Sequence, residues 1–241
     1  MFMAKMKYQI IYNDLKKRIE NYEYKRGDML PSETSITNEY SCSRNTVRRA
    51  ISMLEDTGYV QSTQGKGVTV IFEERDKTAF YFNYIETFSE AMDRINKKGH
   101  TKVILLGNID CTKSLSLRTG FKIGTPLTYI QRLHFIDDSP VIINNSYFRA
   151  DIIPNITEKI AIDSFYKYIE SVLRITIVNS KRWLTVEPIT AVDEKYLGIN
   201  NINALAVISS QTFDSNGTMI EFTESRHNPT NFRFEYIAKR R

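Results

Sequence analysis

The sequence predicts an α+β protein in which a small helical domain precedes a larger domain with a mainly antiparallel sheet and flanking helices. Apolar residues recur at helical spacing early in the chain, whereas β-rich runs separated by turn sequences follow residue 79. The strongest turn sequence is Asp214-Ser215-Asn216-Gly217. We therefore expect a first domain over residues 1–74, a charged linker over 75–80 and a second domain over 81–241.

The first domain contains three predicted helices. The first spans 8–21, and the second spans 32–40, where Ser32 follows a proline and can cap the helix. The third begins at its cap Ser43 and ends at Gly58. Its apolar residues fall at i, i+3, i+4 and i+7 and should form one buried face: Val47, Ala50, Ile51 and Leu54.

Two short strands, 59–63 and 68–72, follow the third helix and flank the turn Gln64-Gly65-Lys66-Gly67. The two glycines permit a tight turn, and the polar side chains at its tip can reach a phosphate backbone. Three helices followed by such a hairpin predict a winged helix-turn-helix, which places its third helix in the major groove of DNA.

The first turn of the third helix is polar and basic, so it can donate to phosphates and to base edges. Arg44 and Arg48 lie one helical turn apart, on one face of the helix. We expect this face to contact the DNA groove; the alternative is an ordinary solvated face without a DNA contact. Lys66 suits a phosphate contact, and Arg49 is either a phosphate contact or a surface residue. The expected DNA contacts are Ser32, Ser43, Arg44, Asn45, Thr46, Arg48, Arg49, Gln64, Gly65 and Lys66.

The second domain begins with Thr87-Phe88-Ser89-Glu90, whose Thr-x-x-Glu spacing predicts a capped helix that ends near Lys98. Alternation and turn residues then predict an antiparallel hairpin from 126–136 and 141–148. The remaining predicted elements are a helix over 163–173, a strand over 175–187, a short helix over 192–197, a hairpin of 205–213 and 218–225, and a last strand over 232–238.

The formal net charge of +5 favours anionic partners only weakly, so local charge placement must locate a nucleic-acid site. We expect neither a secretory leader nor a membrane-spanning helix, because the apolar runs are short. Cys42 and Cys111 form no CxxC motif, which fits a reducing cytoplasm. The histidines and cysteines lack metal-ligand spacing, and we expect no metal and no cofactor.

Residues 8–72 resemble the DNA-binding domain of the gluconate-operon-repressor (GntR) family. The matching motifs are Leu30-Pro31-Ser32-Glu33, then Ser43-Arg44-Asn45-Thr46-Val47-Arg48-Arg49-Ala50, then Leu54, Gly58 and Gln64-Gly65-Lys66-Gly67. Thr34 departs from the family, which often has a basic residue there. The resemblance implies a homodimer that binds a near-palindromic operator in double-stranded DNA.

The rest of the chain is similar to the ligand-sensing UTRA domain of the histidine-utilisation-repressor subfamily. The motifs that carry this likeness are Thr87-Phe88-Ser89-Glu90, Ile130-Gln131-Arg132-Leu133-His134, Phe165-Tyr166-Lys167-Tyr168-Ile169-Glu170, Val186-Glu187-Pro188 and Glu221-Phe222-Thr223-Glu224-Ser225-Arg226-His227. The family commonly has an arginine where this chain has His134. The resemblance implies that residues 81–241 form the effector-binding and dimerisation domain, with phosphate binding at a helix N-terminus and at Arg132.

The expected effector contacts are Thr87, Phe88, Ser89, Arg132, His134, Tyr147, Thr223, Glu224, Ser225 and Arg226. Each group has an alternative role without a ligand. Thr87 to Ser89 could only cap a helix, Arg132 could be an outward-facing charge, and Tyr147 could be a core residue. The polar residues after Phe222 could simply be solvated at a strand end. Strand alternation places Thr223 and Ser225 on one face and Glu224 and Arg226 on the other.

The stretch from Phe222 to His227, followed by Phe232-Arg233-Phe234, resembles the trehalose-responsive members of the subfamily. This likeness implies a repressor of trehalose utilisation whose sugar-phosphate effector is trehalose 6-phosphate. Glucosamine 6-phosphate and N-acetylglucosamine 6-phosphate remain alternative effectors, and an activator remains an alternative to a repressor. An enzyme tethered to DNA is a further alternative, but no nucleophile or acid–base pair appears in a catalytic context, so we expect no enzyme.

Overall fold

The computed structural model describes residues 2–73, 80–81, 85–199 and 201–235. The chain divides into two compact units, one made of the residues up to 77 together with Glu235 and one spanning 78–234. The linker predicted over 75–80 lies outside the described residues except for Phe80. In the described part of the chain, no helix combines the length and apolar character needed to cross a membrane.

The first unit is a helical domain with a hairpin, as the sequence predicts. Its elements are α1 (Phe2–Glu20), α2 (Glu33–Glu39), α3 (Arg44–Asp56), β1 (Val60–Thr63) and β2 (Gly67–Val70). The predicted face of α3 is buried, and it packs with Leu15 of α1, Ile36 of α2 and Val70 of β2 in one apolar core. Burial of each such side chain contributes about 1.5–3 kcal/mol, and this core holds α3 against the rest of the unit.

The second unit alternates strands with short helices. Its elements are β3 (Phe80–Tyr81), α4 (Phe88–Ile95), β4 (Gly99–Asp110), α5 (Lys113–Thr119), β5 (Pro126–Ile136), β6 (Ser139–Arg149), α6 (Glu158–Ile162), α7 (Phe165–Lys167), β7 (Ile177–Pro188), α8 (Ala191–Leu197), β8 (Ala204–Asp214), β9 (Met219–His227) and β10 (Phe234–Glu235). A π-helical turn over Tyr168–Val172 continues α7, and a 3-10 turn over Pro229–Asn231 follows β9.

A six-stranded antiparallel sheet with the order β4-β5-β6-β9-β8-β7 forms the centre of the second unit. The predicted turn at Asp214 joins β8 to β9, and the Asp214 carboxylate accepts from the N–H groups of Asn216 at 2.9 Å and Thr218 at 2.8 Å. Gly217 completes the turn at a φ of +75°, a conformation that costs glycine little. The α+β class and the mainly antiparallel sheet are therefore confirmed.

Several predicted elements differ from the structure. The sequence reading missed the strand β4 and the short helices α5 and α6. The helix predicted over 163–173 begins only at Phe165 and becomes a π-helical turn at Tyr168. Of the last strand, predicted over 232–238, only Phe234–Glu235 is a strand, and residues 236–238 lie outside the described part.

Apolar clusters cover both faces of the sheet, because alternate residues of each strand point to opposite sides. On one face, Ile130 and Phe148 pack against residues of α6 and α7, and Met92 belongs to a smaller cluster on α4. On the other face, Leu133 packs with residues of α8, and Phe222 belongs to a cluster that includes part of α5. The two faces therefore have separate helical cover.

Candidate nucleic-acid surface and ligand cavity

The first turn of α3 is exposed and carries polar side chains. Ser43 caps the helix, and its Oγ accepts from the N–H of Thr46 at 3.2 Å and lies 2.9 Å from the Thr46 Oγ1. Ser43, Arg44 and Asn45 are exposed, and Thr46 is half-buried. No acidic residue lies in this first turn. The buried face of α3 therefore fixes the helix while its N-terminus presents donors and a positive charge outward.

Arg48 and Arg49 differ in what they contact. The Nε of Arg48 donates to both carboxylate oxygens of Glu33 in α2, at 3.1 and 3.0 Å, and the Arg48 side chain is 64% exposed. The Arg49 guanidinium lies over the ring of Tyr8, 4.0 Å from its centroid. Arg48 is thus held by an exposed ion pair that a phosphate can replace, whereas Arg49 packs on α1.

The hairpin tip and the start of α2 carry the other predicted DNA contacts. Gln64, Gly65 and Lys66 are exposed, and the Lys66 N–H donates to the Thr63 carbonyl at 3.0 Å. Gly65 has a φ of +76°, a backbone conformation that glycine adopts without strain and other residues do not. Ser32 is exposed and caps α2 by accepting from the Ser35 N–H at 3.1 Å. The predicted DNA contacts thus all lie in the first unit.

The second unit contains a cavity of about 680 Å³ between one face of the sheet, the start of α4 and the segment 162–166. Residues of every strand of the six-stranded sheet reach it. The polar residues that matter most for its chemistry are Arg132, His134, Asn144, Glu221, Thr223 and Ser225. This size and mixture of polar and apolar walls are typical of small-molecule sites.

One wall of the cavity is the N-terminus of α4, which Thr87, Phe88 and Ser89 line. The predicted capping box is present: the Thr87 N–H donates to the Glu90 carboxylate at 2.7 Å, and the Glu90 N–H donates to the Thr87 Oγ1 at 3.2 Å. The N–H groups of Phe88 and Ser89 belong to the first turn, where the helix itself supplies no acceptors. They can therefore donate to an anion in the cavity.

Arg132 brings a buried positive charge to the same cavity. Its Nη1 donates to the Ala161 carbonyl at 3.3 Å, and its guanidinium lies 4.3 Å from the centroid of the Phe165 ring. Its Nε has no hydrogen-bond partner among the described residues. Burial lowers the pKa of Arg132 to about 10, against the opposing effect of Glu221. An anion bound here would gain a charge-assisted hydrogen bond from a donor that is already desolvated.

His134 stands beside Arg132 as a buried, neutral ring. Its Nε2 lies 3.0 Å from the amide nitrogen of Asn144, and its Nδ1 lies 2.9 Å from the Thr101 Oγ1. An amide nitrogen only donates, so this arrangement assigns the proton to Nδ1 and makes Nε2 an acceptor. Burial, together with Arg132 and His227, holds the pKa of His134 well below its usual range. The ring also packs against Phe88, with centroids 4.4 Å apart.

The sequence analysis did not single out several polar residues of the cavity, among them Asn144, Tyr166 and Glu221. The buried Oδ1 of Asn144 has no hydrogen-bond partner among the described residues. The Glu221 carboxylate accepts from the Tyr166 hydroxyl at 3.0 Å and from the Thr223 Oγ1 at 2.6 Å. Strand alternation could have found Glu221, because it shares a face with Thr223. The cavity thus also presents acceptors, which suit hydroxyl groups of a ligand.

Three of the predicted effector contacts do not reach the cavity: Tyr147, Glu224 and Arg226. Tyr147 packs on the opposite face with Cys111, Phe121, Leu127 and Phe222. Glu224 accepts from the Arg118 Nε at 3.1 Å, and Arg226 donates to Asp193 at 2.9 Å and to Glu187 at 2.8 Å. The physical reason is the two-residue period of β6 and β9, which turns these side chains away from the face that carries Asn144 and Thr223. The other predicted contacts do line the cavity: Thr87, Phe88, Ser89, Arg132, His134, Thr223 and Ser225.

A winged helix-turn-helix followed by a domain with a polar ligand cavity defines a class of ligand-responsive, DNA-binding regulators. Two family models match this chain: "Bacterial regulatory proteins, gntR family" over residues 7–70 and "UTRA domain" over residues 95–233. The chain belongs to the GntR family of transcriptional regulators and carries a UTRA domain. Regulators of this family bind operator DNA and bind a small-molecule effector through the UTRA domain.

The relatives of this chain include a regulator of similar length. The HTH-type transcriptional regulator TreR of Bacillus subtilis (strain 168) is 30% identical over 234 residues, covering 97% of this chain and 98% of TreR. The crystal structure of the possible transcriptional regulator YydK, also from Bacillus subtilis, has a TM-score of 0.79 at 21% identity and covers 97% and 99% of the two chains. The structure of the effector-binding domain of the B. subtilis trehalose repressor (TreR) has a TM-score of 0.54 at 26% identity. The match covers 58% of this chain and 98% of the TreR domain.

Proposed function

We propose that this regulator is a cytoplasmic, homodimeric repressor of trehalose utilisation that trehalose 6-phosphate releases from a near-palindromic operator. The observation that carries the proposal is the presence of anion donors from two elements in the lining of one cavity. Arg132 supplies a buried cation with a free Nε, and the first turn of α4 supplies N–H groups without helical acceptors. Such a site fits a phosphate group.

The sugar is supported by the remainder of the cavity. Glu221, Asn144, Thr223 and Ser225 offer acceptors and hydroxyls along one sheet face, which suits the many hydroxyls of a disaccharide. A volume of about 680 Å³ leaves room for a second sugar ring beyond a phosphorylated one. The similarity to TreR over nearly the whole chain adds support for trehalose 6-phosphate as the particular ligand.

Release requires that the effector favour a dimer geometry in which the two α3 helices no longer match the half-sites. Only a difference in affinity between the two geometries can produce such a shift. Moving a population from 99% competent to 1% competent requires about 5.5 kcal/mol of that difference. A phosphate that binds Arg132 and the start of α4 in one geometry only is a sufficient source.

Calorimetry on the full chain tests the ligand. Trehalose 6-phosphate should bind at one site per chain, trehalose without phosphate should bind at least about 100-fold more weakly, and glucosamine 6-phosphate should compete poorly. Trehalose should bind more weakly because it lacks the phosphate that accepts charge-assisted hydrogen bonds. Binding of glucosamine 6-phosphate or N-acetylglucosamine 6-phosphate with no heat from trehalose 6-phosphate would contradict the proposed sugar.

A gel shift with DNA from the chain's own promoter tests the operator contacts. Arg44→Ala should weaken binding by about tenfold or more, because an arginine in the groove gives about 1–3 kcal/mol of discrimination. Lys122→Ala is the matched control, since it removes the same charge from an exposed position of the second unit. Equal affinity of both variants would remove the groove assignment of Arg44.

A further inference from the structure

Two buried polar atoms in the lining of the cavity have no hydrogen-bond partner among the described residues: the Nε of Arg132 and the Oδ1 of Asn144. Arg132 of β5 and Asn144 of β6 are direct partners in the antiparallel ladder, so their side chains start from neighbouring positions on one sheet face. The first atom is a charged donor, and the second is an acceptor. A buried polar atom without a partner is unfavourable, so both atoms are suited to contact a ligand.

Other contacts hold both side chains in place. The Arg132 Nη1 donates to the Ala161 carbonyl at 3.3 Å, and the guanidinium lies 4.3 Å from the centroid of the Phe165 ring. The amide nitrogen of Asn144 lies 3.0 Å from the Nε2 of His134. Arg132 and Asn144 therefore leave one donor and one acceptor for a ligand.

His134 determines which end of the Asn144 amide faces the cavity. Its ring is 1% exposed, and burial holds its pKa well below the usual range, so the ring carries one proton. The amide nitrogen of Asn144 donates to Nε2, which places that proton on Nδ1, 2.9 Å from the Thr101 Oγ1. A proton on Nε2 would instead require the Asn144 oxygen as its acceptor. The sequence of contacts from Thr101 through His134 thus leaves the Oδ1 of Asn144 as the free atom.

The two free atoms together describe the ligand group that fits them. A phosphate monoester is mainly dianionic at neutral pH and offers acceptor oxygens, which suit Arg132 but not the Oδ1 of Asn144. A hydroxyl group can donate to that oxygen, and a sugar phosphate carries hydroxyls close to its phosphate. The pair therefore suits an anionic group that has a hydroxyl beside it.

We propose that the Oδ1 of Asn144 accepts a hydrogen bond from a sugar hydroxyl beside the phosphate of the effector, and that His134 is the positioning residue that holds the Asn144 amide in this orientation. This inference rests on the proposed function and names a contact that selects the effector. It gives the cavity a means of discriminating against phosphates that carry no donor at this position.

Magnetic resonance of the full chain with isotope-labelled histidine tests the orientation without a ligand. The chain has three histidines, so His100→Gln and His227→Gln assign the signals of His134 by elimination. Correlations between the ring protons and the ring nitrogens should show a proton on the Nδ1 of His134 and none on its Nε2. A proton on Nε2 would turn the Asn144 oxygen towards His134 and overturn the proposal.

Calorimetry with analogues of trehalose 6-phosphate tests the contact itself. Each analogue lacks one hydroxyl of the phosphorylated ring, and one of them should bind the wild type about tenfold more weakly, because it leaves the Oδ1 of Asn144 without a donor. The same analogue should bind Asn144→Leu as tightly as trehalose 6-phosphate does, since the acceptor is absent from both complexes. Asn145→Leu is the matched control. Asn145 lies on the other sheet face, where its Oδ1 accepts from Tyr129 and Gln131, so this variant should keep the tenfold difference.

Two variants of His134 test its positioning role. His134→Leu cannot accept from the Asn144 amide and should lose most of the tenfold difference between the two ligands. His134→Gln has an amide oxygen that can accept from Asn144, so it should retain the difference. A merely structural role of His134 would weaken the binding of both ligands equally and leave their ratio unchanged.

The outcomes separate this contact from the proposed effector. If trehalose 6-phosphate binds and every analogue loses the same affinity in Asn144→Leu as in Asn145→Leu, the Asn144 contact is overturned and the effector stands. If trehalose 6-phosphate gives no heat with the wild type, the effector and the contact are overturned together.

Discussion

Arg132 lies in a sheet face among apolar and aromatic side chains, where water cannot solvate its charge well. Burial lowers its pKa to about 10, and its Nε remains without a hydrogen-bond partner among the described residues. A buried donor without an acceptor costs about 1–3 kcal/mol, which the fold must offset elsewhere. The proposed phosphate would remove that cost on binding, so the residue that weakens the empty domain would strengthen the loaded one.

Replacing Arg132 by Met should lower the affinity for trehalose 6-phosphate by about 100-fold, because a charge-assisted contact to the phosphate is lost. Calorimetry on the full chain measures this loss. Tyr147→Phe is the control, since Tyr147 lies on the other face of the sheet and should bind the effector with unchanged affinity. A Tyr147→Phe variant that lost as much affinity as Arg132→Met would show that the cavity is not the effector site.

His227 is a second buried group of the cavity, and burial lowers its pKa to about 3. Below a pH of about 6.5, His227 is therefore protonated more readily in the unfolded chain than in the folded chain. The neutral His227 ring contributes its full share of the folding free energy above that pH. This share is lost as the pH falls from 6.5 towards 3, by about 1.4 kcal/mol per pH unit. His134 should act in the same direction, because its pKa is also lowered.

Urea unfolding at pH 7.5 and pH 5.5 measures this dependence, and the single tryptophan, Trp183, reports on the second unit. His227→Gln should reduce the stability difference between the two pH values. His100→Gln is the control, because His100 is exposed and lies outside the sheet core. If His227→Gln kept the full pH dependence of stability, the assignment of His227 as the buried, neutral group responsible for it would be wrong.

At the scale of secondary elements, α2 and α3 share one ion pair at the predicted DNA surface. Glu33 lies in the first turn of α2, where its charge suits the helix dipole, and it also accepts from Arg48 of α3. Its carboxylate opposes binding of a phosphate near the same arginine. If Arg48 contacts a phosphate, as proposed, the pair would favour the free protein over the DNA complex.

Glu33→Gln should tighten operator binding by about threefold, because Arg48 is released and a negative charge leaves the surface. The same change should cost about 0.3–1 kcal/mol of stability through the loss of a favourable helix-end charge. Fluorescence anisotropy with labelled operator measures the affinity. Glu39→Gln is the control, since Glu39 pairs with Arg18 at the far end of α2. Weaker binding by Glu33→Gln than by Glu39→Gln would contradict this role.

Elements with strong local patterns were predictable from the sequence. The cap at Ser43, the capping box at Thr87 and the turn at Asp214 depend on neighbouring residues, and all three are present. Strand β4 was missed because the bulge between Val103 and Leu105 disrupts its alternation. The helix over 163–173 was misjudged because its second half forms π-helical bonds, such as the one from the Leu173 N–H to the Tyr168 carbonyl.

The cavity was only partly predictable because distant segments form it. Asn144 of β6 pairs with Ser225 of β9, and nothing local to either strand indicates that pairing. Once the register is known, a period of two assigns Thr223 and Ser225 to the cavity and removes Glu224 and Arg226. Residue chemistry therefore identified the right strands, whereas tertiary structure was needed to choose between their faces.

For the whole molecule, the account predicts that effector binding in the second unit and DNA binding in the first are thermodynamically linked. If trehalose 6-phosphate lowers the affinity for operator by some factor, the operator must lower the affinity for trehalose 6-phosphate by the same factor. Within the second unit, β9 contacts both sides of the sheet: Thr223 lines the cavity, and Arg226 on the other face donates to Glu187.

The most direct test of this link is the release of operator DNA by effector in two full-length proteins, wild type and Arg132→Met. Both should bind labelled operator equally in the absence of effector, since Arg132 lies in the second unit. Trehalose 6-phosphate should then release the wild type and leave Arg132→Met bound at the same concentrations. Equal release of the two proteins, or no release of the wild type, would contradict the account.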